Sequence, residues 1–248
     1  MKTVRSILGR GQKKRVAIAD DDYELAAELI AKYRLEPGKE MSDDEFEELL
    51  EENDRLRYDR LAIRRLQTMQ TEHELAEYLT KKGAPQQLIR KLISSYKKKK
   101  YLDDEAYASY YVETRKHSEG PRLIEDRLKK KGVSPAIIAK LVDYDAFELV
   151  YEPIKKRVET NRTKNRRQLR SSLKTHFVNK GFPLETVDEA LKRALTYYSA
   201  DEKALLKKDY EKLLSTYEKR MDRAALEPFI KRKLYQKGYD YEDIKELF

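Results

Sequence analysis

Residues 128–135 read LKKKGVSP, and variants of this lysine–glycine pattern occur four times along the 248-residue chain. The glycines are Gly83, Gly132, Gly181 and Gly238, which are 49, 49 and 57 residues apart. An apolar residue lies eight positions before each glycine, and apolar residues follow six and nine positions after it. Apolar residues at such intervals share one face of a helix, so the pattern predicts an amphipathic helix on each side of every glycine.

The residues around each glycine predict how one helix ends and the next begins. Lysine lies at the negative end of the helix dipole, and glycine adopts the left-handed conformation that ends a helix. Pro85, Pro135 and Pro183 follow the first three glycines, where their fixed φ suits the first turn of a helix. Ser134 and Asp240 supply side chains that cap a helix N-terminus. Each copy is therefore predicted to be a tight pair of helices.

A third apolar segment precedes each pair and includes Leu61, Tyr107, Val150 and Leu213 in the successive copies. Three short helices bury little apolar surface alone, so neighbouring repeats are expected to stack into an elongated, curved array. The predicted repeats are residues 58–98, 99–145, 146–198, which has a basic insertion, and 199–248. A single compact α-domain with coincidental turns is the alternative.

Residues 1–57 have a different pattern, and we predict a small acidic α/β appendage there. Val4–Leu8 and Arg15–Ala19 are predicted strands, and Asp20–Asp22 is a predicted turn. Pro37-Gly38 is a predicted turn between two helices, and Ser42–Glu45 is a capping box for the second of them. The predicted fold class is therefore mainly α, with tandem three-helix repeats after this appendage.

The charge is unevenly distributed along the chain. The formal net charge is +9 with a pI near 9.3, but residues 1–57 carry net −4 and the remainder +13. Residues 155–180 alone carry net +9, with Glu159 as their single acidic residue. A basic surface favours a polyanionic partner, because each neutralised phosphate releases counterions. The absence of cysteine and of any long apolar run predicts a cytoplasmic protein that does not enter a membrane.

The titratable residues do not form a catalytic pattern. His73, His117 and His176 fall at unrelated positions in three repeats, so we interpret them as exposed helical residues. The acidic trios at 20–22, 43–45 and 103–105 could bind Mg²⁺, but two of them lie where helices begin, and the helix dipole accounts for those. No phosphate-binding glycine loop is present either. We therefore predict no enzymatic activity, no metal and no cofactor.

The second repeat resembles the RecX family. Residues 101–108, YLDDEAYA, are similar to the GYLDDxx(F/Y)A element of that family. Arg115 followed by residues 120–133, GPRLIEDRLKKKGV, resembles the element R…KGPxxIxxxLxxKGI. Residues 61–83 resemble the first-repeat element, although Met69 and Gln70 replace the usual basic residue and Thr71 stands where serine is usual. The likeness covers about residues 58–142, and the third and fourth repeats match only by spacing.

The resemblance implies a cytoplasmic, non-enzymatic regulator of the RecA recombinase. Members of the family lie in the groove of the RecA–single-stranded DNA filament and inhibit strand exchange, ATPase and co-protease activity. The implied partners are the RecA filament and single-stranded DNA, with double-stranded DNA as a further candidate, and a monomer is expected. The predicted RecA- and DNA-binding cations are Arg115, Arg122, Arg127, Lys129, Lys130, Lys131, Arg162, Lys164, Arg166, Arg167, Arg170 and Lys174.

Two other functions remain open from the sequence. A protein that binds DNA without a recombinase should show a salt slope of about −0.7 per phosphate contact on single strands. A protein-only scaffold should keep its DNA affinity unchanged by Arg162→Glu and Arg166→Glu. We also hypothesise that residues 1–57 mask the basic face when DNA is absent, in which case deleting them should tighten DNA binding at low salt.

Overall fold

A computed structural model describes all 248 residues as thirteen α-helices and one four-stranded sheet. The strands are β1 Lys2–Leu8, β2 Lys13–Ile18, β3 Asp21–Ala26 and β4 Glu40–Met41. The helices are α1 Ala27–Lys32, α2 Asp43–Arg65, α3 Glu72–Lys81, α4 Gln86–Lys98, α5 Asp104–Arg115, α6 Pro121–Lys130, α7 Pro135–Val142, α8 Phe147–Glu159, α9 Arg166–Asn179, α10 Leu184–Ala194, α11 Glu202–Tyr217, α12 Arg223–Lys237 and α13 Tyr241–Lys245. The mainly α class with a small N-terminal sheet is confirmed.

The chain divides into two compact units. One comprises residues 1–107 with 131–133, and the other comprises 108–130 with 134–248.

The N-terminal sheet is antiparallel and has the strand order β3-β2-β1-β4. The two predicted strands correspond to β1 and β2, but the predicted turn at Asp20–Asp22 is wrong. The turn consists of Ala19 and Asp20, and Asp21 already belongs to β3, where Val16 of β2 pairs with Tyr23. Strand β3 lies at an edge of the sheet, where exposed aspartates are tolerated because their side chains face water.

Helix α2 joins the sheet to the first repeat without interruption. Its first half buries Phe46 and Leu49 in the core under the sheet, and its second half contributes Tyr58 and Ala62 to the first-repeat core. The Ser42 hydroxyl caps this helix by accepting a 3.1 Å hydrogen bond from a backbone amide of its first turn. The predicted boundary at 57/58 therefore falls inside α2, whereas the later boundaries fall between helices. The division of the chain into these five segments stays a prediction.

The four glycine turns have the predicted backbone conformation. Their glycines have φ between 80° and 94°, the left-handed region that glycine adopts without strain. Ser134 caps α7 and Pro135 is its first residue, as predicted. Thr71 and Glu74 form a complete capping box at the start of α3. The helix–turn–helix pairs predicted from the spacing are therefore present in all four copies.

Each of the last three turns also contacts the helix pair that precedes it in the chain. In each case the donor is the residue just before the second helix of one repeat. The acceptor is the backbone carbonyl of the lysine just before the glycine of the next repeat. The three bonds are Thr71 Oγ1 to Lys131 (2.5 Å), Gly120 N to Lys180 (2.7 Å) and Asn165 Nδ2 to Lys237 (3.0 Å). We call these contacts the first, second and third junctions.

A carboxylate completes two of the junctions by accepting from the first amide of the docked helix. The Glu72 amide donates to Asp104 at 2.9 Å, and the Arg166 amide donates to Glu202 at 2.7 Å. Both acids lie at the start of the next repeat's first helix. At the second junction that helix position is Pro121, which has no N–H, so no acceptor is required there. The junctions therefore satisfy helix N-termini that would otherwise need water.

Candidate polyanion interface

The two predicted arginines that flank the start of α6 share one buried acid. Glu119 is 8% exposed, and its carboxylate lies 2.6 Å from Arg127 and 3.6 Å from Arg115. A hydrogen bond from the Arg127 guanidinium to the Tyr111 hydroxyl, with the nearby Glu119 charge, raises the pKa of Arg127. Two guanidinium groups share one carboxylate here, so these three side chains hold the connection between α5 and α6 and keep one net positive charge.

The remaining second-repeat cations differ in how they are paired. Lys129 pairs with Glu125 one helical turn away at 2.5 Å, and Lys131 pairs with Glu74 across the first junction at 2.5 Å. Arg122 and Lys130 on α6 are exposed and have no carboxylate within 4 Å. Two predicted cations of this repeat are thus available to a partner.

The basic insertion of the third repeat is a closed loop between α8 and α9. The Asn161 side chain donates to the Lys164 carbonyl at 2.7 Å and accepts from the Lys164 amide at 3.2 Å. The Arg162 guanidinium donates to the Glu159 and Asn161 carbonyls at 2.8 and 2.7 Å. The Tyr198 hydroxyl donates to the Lys164 carbonyl at 3.0 Å. These bonds fix the loop, so its charges are held in place before any partner binds.

Most cations of this loop and of the start of α9 have no acidic partner. Arg162, Lys164, Arg166 and Arg167 are exposed and lack a carboxylate within 4 Å of their charged groups. The Lys164 ammonium donates only to the Ser172 hydroxyl, at 2.7 Å. The structure therefore brings four of the predicted cations together in a short, fixed segment.

The last two predicted cations share one acid on α10. Asp188 lies 2.7 Å from the Lys174 ammonium and 3.9 Å from the Arg170 guanidinium. An open groove of about 910 Å³ begins beside this acid and continues to the fourth repeat. The groove is lined by four cationic side chains, Arg166, Arg167, Arg170 and Lys192, and by four acidic ones, Asp188, Glu189, Glu202 and Asp240.

The twelve predicted cations thus fall into two halves. We call Arg122, Lys130, Arg162, Lys164, Arg166 and Arg167 the unpaired cations, and the other six have ionic partners. A one-to-one ion pair presents little net charge to a partner, and two cations that share Glu119 or Asp188 present one charge, whereas an unpaired cation keeps its full charge for phosphate or carboxylate. The sequence could not reveal Glu74 or Asp188 as neutralising partners, because they lie 57 and 14 positions from the lysines they pair with.

One histidine differs from its predicted environment. His73 and His117 are exposed as predicted, but His176 is half-buried, with its Nε2 atom buried and without a hydrogen-bond partner. Burial lowers the pKa of His176, and the charges of Arg157 and Lys180 lower it further. Among the acidic trios, Asp43–Glu45 and Asp104–Glu105 occupy helix starts, as predicted from the dipole. No three His, Asp or Glu side chains are grouped closely enough to hold a metal ion.

Comparison with known proteins identifies the family. A family model described as "RecX, second three-helix domain" matches residues 103–141. Regulatory protein RecX of Geobacillus thermodenitrificans (strain NG80-2) is 31% identical over 187 residues, which cover 72% of this chain and 68% of that protein. The chain belongs to the RecX family. Regulatory protein RecX of Streptococcus uberis matches over more of the chain, at 26% identity and 95% coverage of both proteins.

Solved RecX structures share the fold. A crystal structure of regulatory protein RecX superposes with a TM-score of 0.55 at 19% identity, covering 78% of this chain and all of that one. RecX from Lactobacillus salivarius gives 0.51 at 22% identity, covering 57% and 96%. The curated relatives are named as regulatory proteins rather than enzymes, so a regulatory role follows from membership of the family. None of the thirteen helices combines the length and hydropathy that a membrane span requires.

Proposed function

We propose that this RecX-family chain binds the RecA–single-stranded DNA filament and inhibits its recombination, ATPase and co-protease activities. The observation that carries the proposal is the group of unpaired cations at Arg162, Lys164, Arg166 and Arg167 on a fixed loop and helix start. Family membership supports the regulatory role, and these cations supply the chemistry for holding a polyanionic filament.

The fixed loop favours binding for a physical reason. Ordering a long cationic side chain or its loop at an interface costs free energy, and this loop is already ordered by its own hydrogen bonds. No carboxylate competes for the guanidinium groups, so contact with a phosphate breaks no internal ion pair. Each phosphate neutralised in this way releases counterions, which makes the binding strongly dependent on salt.

Arg122 and Lys130 add unpaired cations in the second repeat. Contacts made by two repeats of one chain reinforce each other, because the second contact forms at a high effective concentration. A repetitive filament offers repeated sites for such contacts, which suits binding at less than one protein per recombinase subunit.

The test is the ATP hydrolysis of RecA from the same organism on single-stranded DNA, with this protein added in increasing amounts. We expect hydrolysis to fall at substoichiometric amounts. The double variant Arg162→Glu with Arg166→Glu should need at least about tenfold more protein for the same inhibition, since each reversed charge repels phosphate. The matched control, Arg10→Glu with Arg55→Glu, changes net charge equally on exposed residues of the appendage and should inhibit normally.

The other outcomes separate the alternatives. Unchanged hydrolysis, with DNA binding that is weakened by the double variant, would reject the recombinase role and leave DNA binding alone. Inhibition that is normal in the double variant, with no effect on DNA affinity, would indicate a protein-only contact elsewhere on the chain.

A further inference from the structure

Three aromatic rings and two cations form two adjoining groups in the third repeat, one of Arg193, Phe147 and Tyr151 and one of Lys155 and Tyr197. Phe147, Tyr151 and Lys155 occur every four residues along α8 and therefore share one face of that helix. Arg193 and Tyr197 lie four residues apart at the end of α10 and in the 3₁₀ turn that extends it. We call these five side chains the α8 aromatic stack.

The contacts within the stack are close and ordered. The Phe147 and Tyr151 rings are stacked with centroids 5.4 Å apart and planes 14° apart. The Arg193 guanidinium lies 4.6 Å from the Phe147 centroid, and the Lys155 ammonium lies 4.8 Å from the Tyr197 centroid. Burial raises the pKa of Tyr151, and the nearby Tyr197 hydroxyl raises it further. One cation therefore lies over the Phe147 ring and another over the Tyr197 ring.

Core packing accounts for Phe147 and Tyr151, which pack against the third-repeat core, but not for Tyr197. The core face of α8 presents Val150, Ile154 and Val158, all of which are fully buried, whereas Tyr197 is 48% exposed. Among the other exposed tyrosines, Tyr110 and Tyr235 are 62% and 56% exposed and have no ring or cation contact, whereas Tyr101 contacts Tyr96 and Tyr241 contacts Lys245. Tyr197 is thus held in position by its neighbours while much of its ring faces solvent.

The stack adjoins the unpaired cations. Tyr198 follows Tyr197 in the chain and donates to the Lys164 carbonyl, so the backbone at Tyr197 lies near the fixed basic loop. Lys155 has no carboxylate within 4 Å, and Lys156 and Arg157 are exposed beside it on α8. Glu152 is the acid that faces Tyr151, and Arg193 pairs with Glu189 at 2.7 Å. Excess positive charge therefore lies on the side of Tyr197 that leads to the loop.

We propose that the α8 aromatic stack is a base-stacking platform for single-stranded nucleic acid, with one base laid against the exposed ring of Tyr197. This inference rests on the part of the proposed function in which the chain contacts single-stranded DNA. Aromatic faces beside a cationic track bind single strands without sequence preference, because every base has a π-face and every nucleotide a phosphate. A duplex is excluded from the platform, since its base faces are stacked on each other.

The experiment uses the natural absence of tryptophan from this chain. Tyr197→Trp places one fluorophore at the platform, and Tyr235→Trp places one on an isolated exposed tyrosine as the matched control. We expect oligo(dT) to quench the Tyr197→Trp emission strongly, and an abasic oligomer of equal length to bind through its phosphates with little quenching. Tyr235→Trp should change little with either oligomer.

Affinity measurements provide the second readout. Tyr197→Ala should weaken oligo(dT) binding about fivefold or more while leaving abasic binding unchanged, and Tyr197→Phe should retain the affinity. Equal quenching by both oligomers, unchanged oligo(dT) affinity of Tyr197→Ala, or no binding of single strands would each overturn the proposal. Quenching of Tyr197→Trp by RecA but not by DNA would assign the ring to a protein contact instead. Inhibition of RecA hydrolysis is measured separately, so failure of the platform does not decide the proposed function.

Discussion

The turn at Gly83 and the three later glycine turns have the same backbone conformation but different neighbours. At Gly83 an added Cβ atom would lie 3.7 Å from the Tyr58 hydroxyl oxygen, which is an ordinary contact. At the later turns it would overlap side chains of the preceding repeat, namely His73 at Gly132, Leu123 at Gly181 and Arg167 at Gly238. Glycine therefore meets one requirement in the first turn, its positive φ, and two requirements in the others.

The lysine carbonyl before each glycine shows the same difference. Thr71, Gly120 and Asn165 donate to that carbonyl at the three junctions, each from the preceding repeat. No repeat precedes the first turn, and there the Tyr58 hydroxyl on α2 donates to the Lys82 carbonyl at 3.4 Å. Stacked repeats need a distinct cap at a terminal unit. Helix α2 thus closes the first repeat with a contact that a neighbouring repeat makes elsewhere.

The largest expected effect comes from Gly120→Ala at the second junction, where two backbone segments lie close together. The added Cβ would overlap the backbone of Gly181 and Phe182, which cannot move aside as a side chain can. We expect the free energy of unfolding to fall by about 3 kcal/mol or more, since overpacking against backbone displaces a helix. Urea unfolding followed by circular dichroism measures this change.

Gly83→Ala is the matched control at the turn without a preceding repeat. It introduces strain from a positive φ but no overlap, so it should lower the free energy of unfolding by only about 1–2 kcal/mol. Gly181→Ala shares the positive φ and adds overlap with Leu123, so a loss equal to that of Gly83→Ala would show that close approach between repeats does not set the requirement for glycine.

A smaller effect is expected from removing the side chain that makes the third junction. Asn165 is 2% exposed, accepts from the Gln168 amide at 2.8 Å and donates to the Lys237 carbonyl at 3.0 Å. Asn165→Ala removes both bonds and should lower the free energy of unfolding by about 2 kcal/mol. The same urea titration measures it.

Two variants separate the contributions to that loss. Asn165→Asp keeps the cap on Gln168 but cannot donate to Lys237, and it buries a carboxylate beside that carbonyl, so its loss is an upper limit for the junction bond. Tyr58→Phe removes the corresponding bond of the first turn, which is long at 3.4 Å, and should cost about 0.5 kcal/mol. If Asn165→Asp is as stable as the unchanged chain, the junction bond contributes nothing measurable.

Local chemistry in the sequence was sufficient to predict the repeats. The spacing of Gly83, Gly132, Gly181 and Gly238 identified the turns because helix termination depends on residues within a few positions. Strand β3 was missed because its two leading aspartates are typical of turns, and only pairing with β2 makes them a strand. The sequence also could not separate the two reasons for glycine, since close approach depends on a helix about 60 residues away.

The basic composition of the candidate interface was predictable from the sequence, but the pairing of its cations with acidic side chains was not. The run from Arg162 to Arg167 contains no acid, and the structure leaves its cations unpaired, so the local pattern was informative there. The Lys129–Lys131 run looked equally basic, yet Lys129 and Lys131 each have an acidic partner. The α8 aromatic stack was not predicted at all, because Tyr197 meets α8 only after the chain has passed through two more helices.

The smallest expected effect is a pH dependence of the stability, which the third turn should have and the first turn should lack. Five residues before the glycine, the third turn has the half-buried His176 where the first has Tyr78. Burial, Arg157 and Lys180 lower the pKa of His176, so the folded state favours the neutral ring. Its contribution is fully present above the unfolded value of about 6.5 and is lost as pH falls from there through the lower folded value. We expect the urea midpoint to fall between about pH 7.5 and pH 5.5, by less than Asn165→Ala lowers it.

His176→Gln should remove part of that fall, whereas the exposed control His117→Gln should keep it. A pH dependence that is identical in the two variants would show that the third turn does not sense protonation of His176.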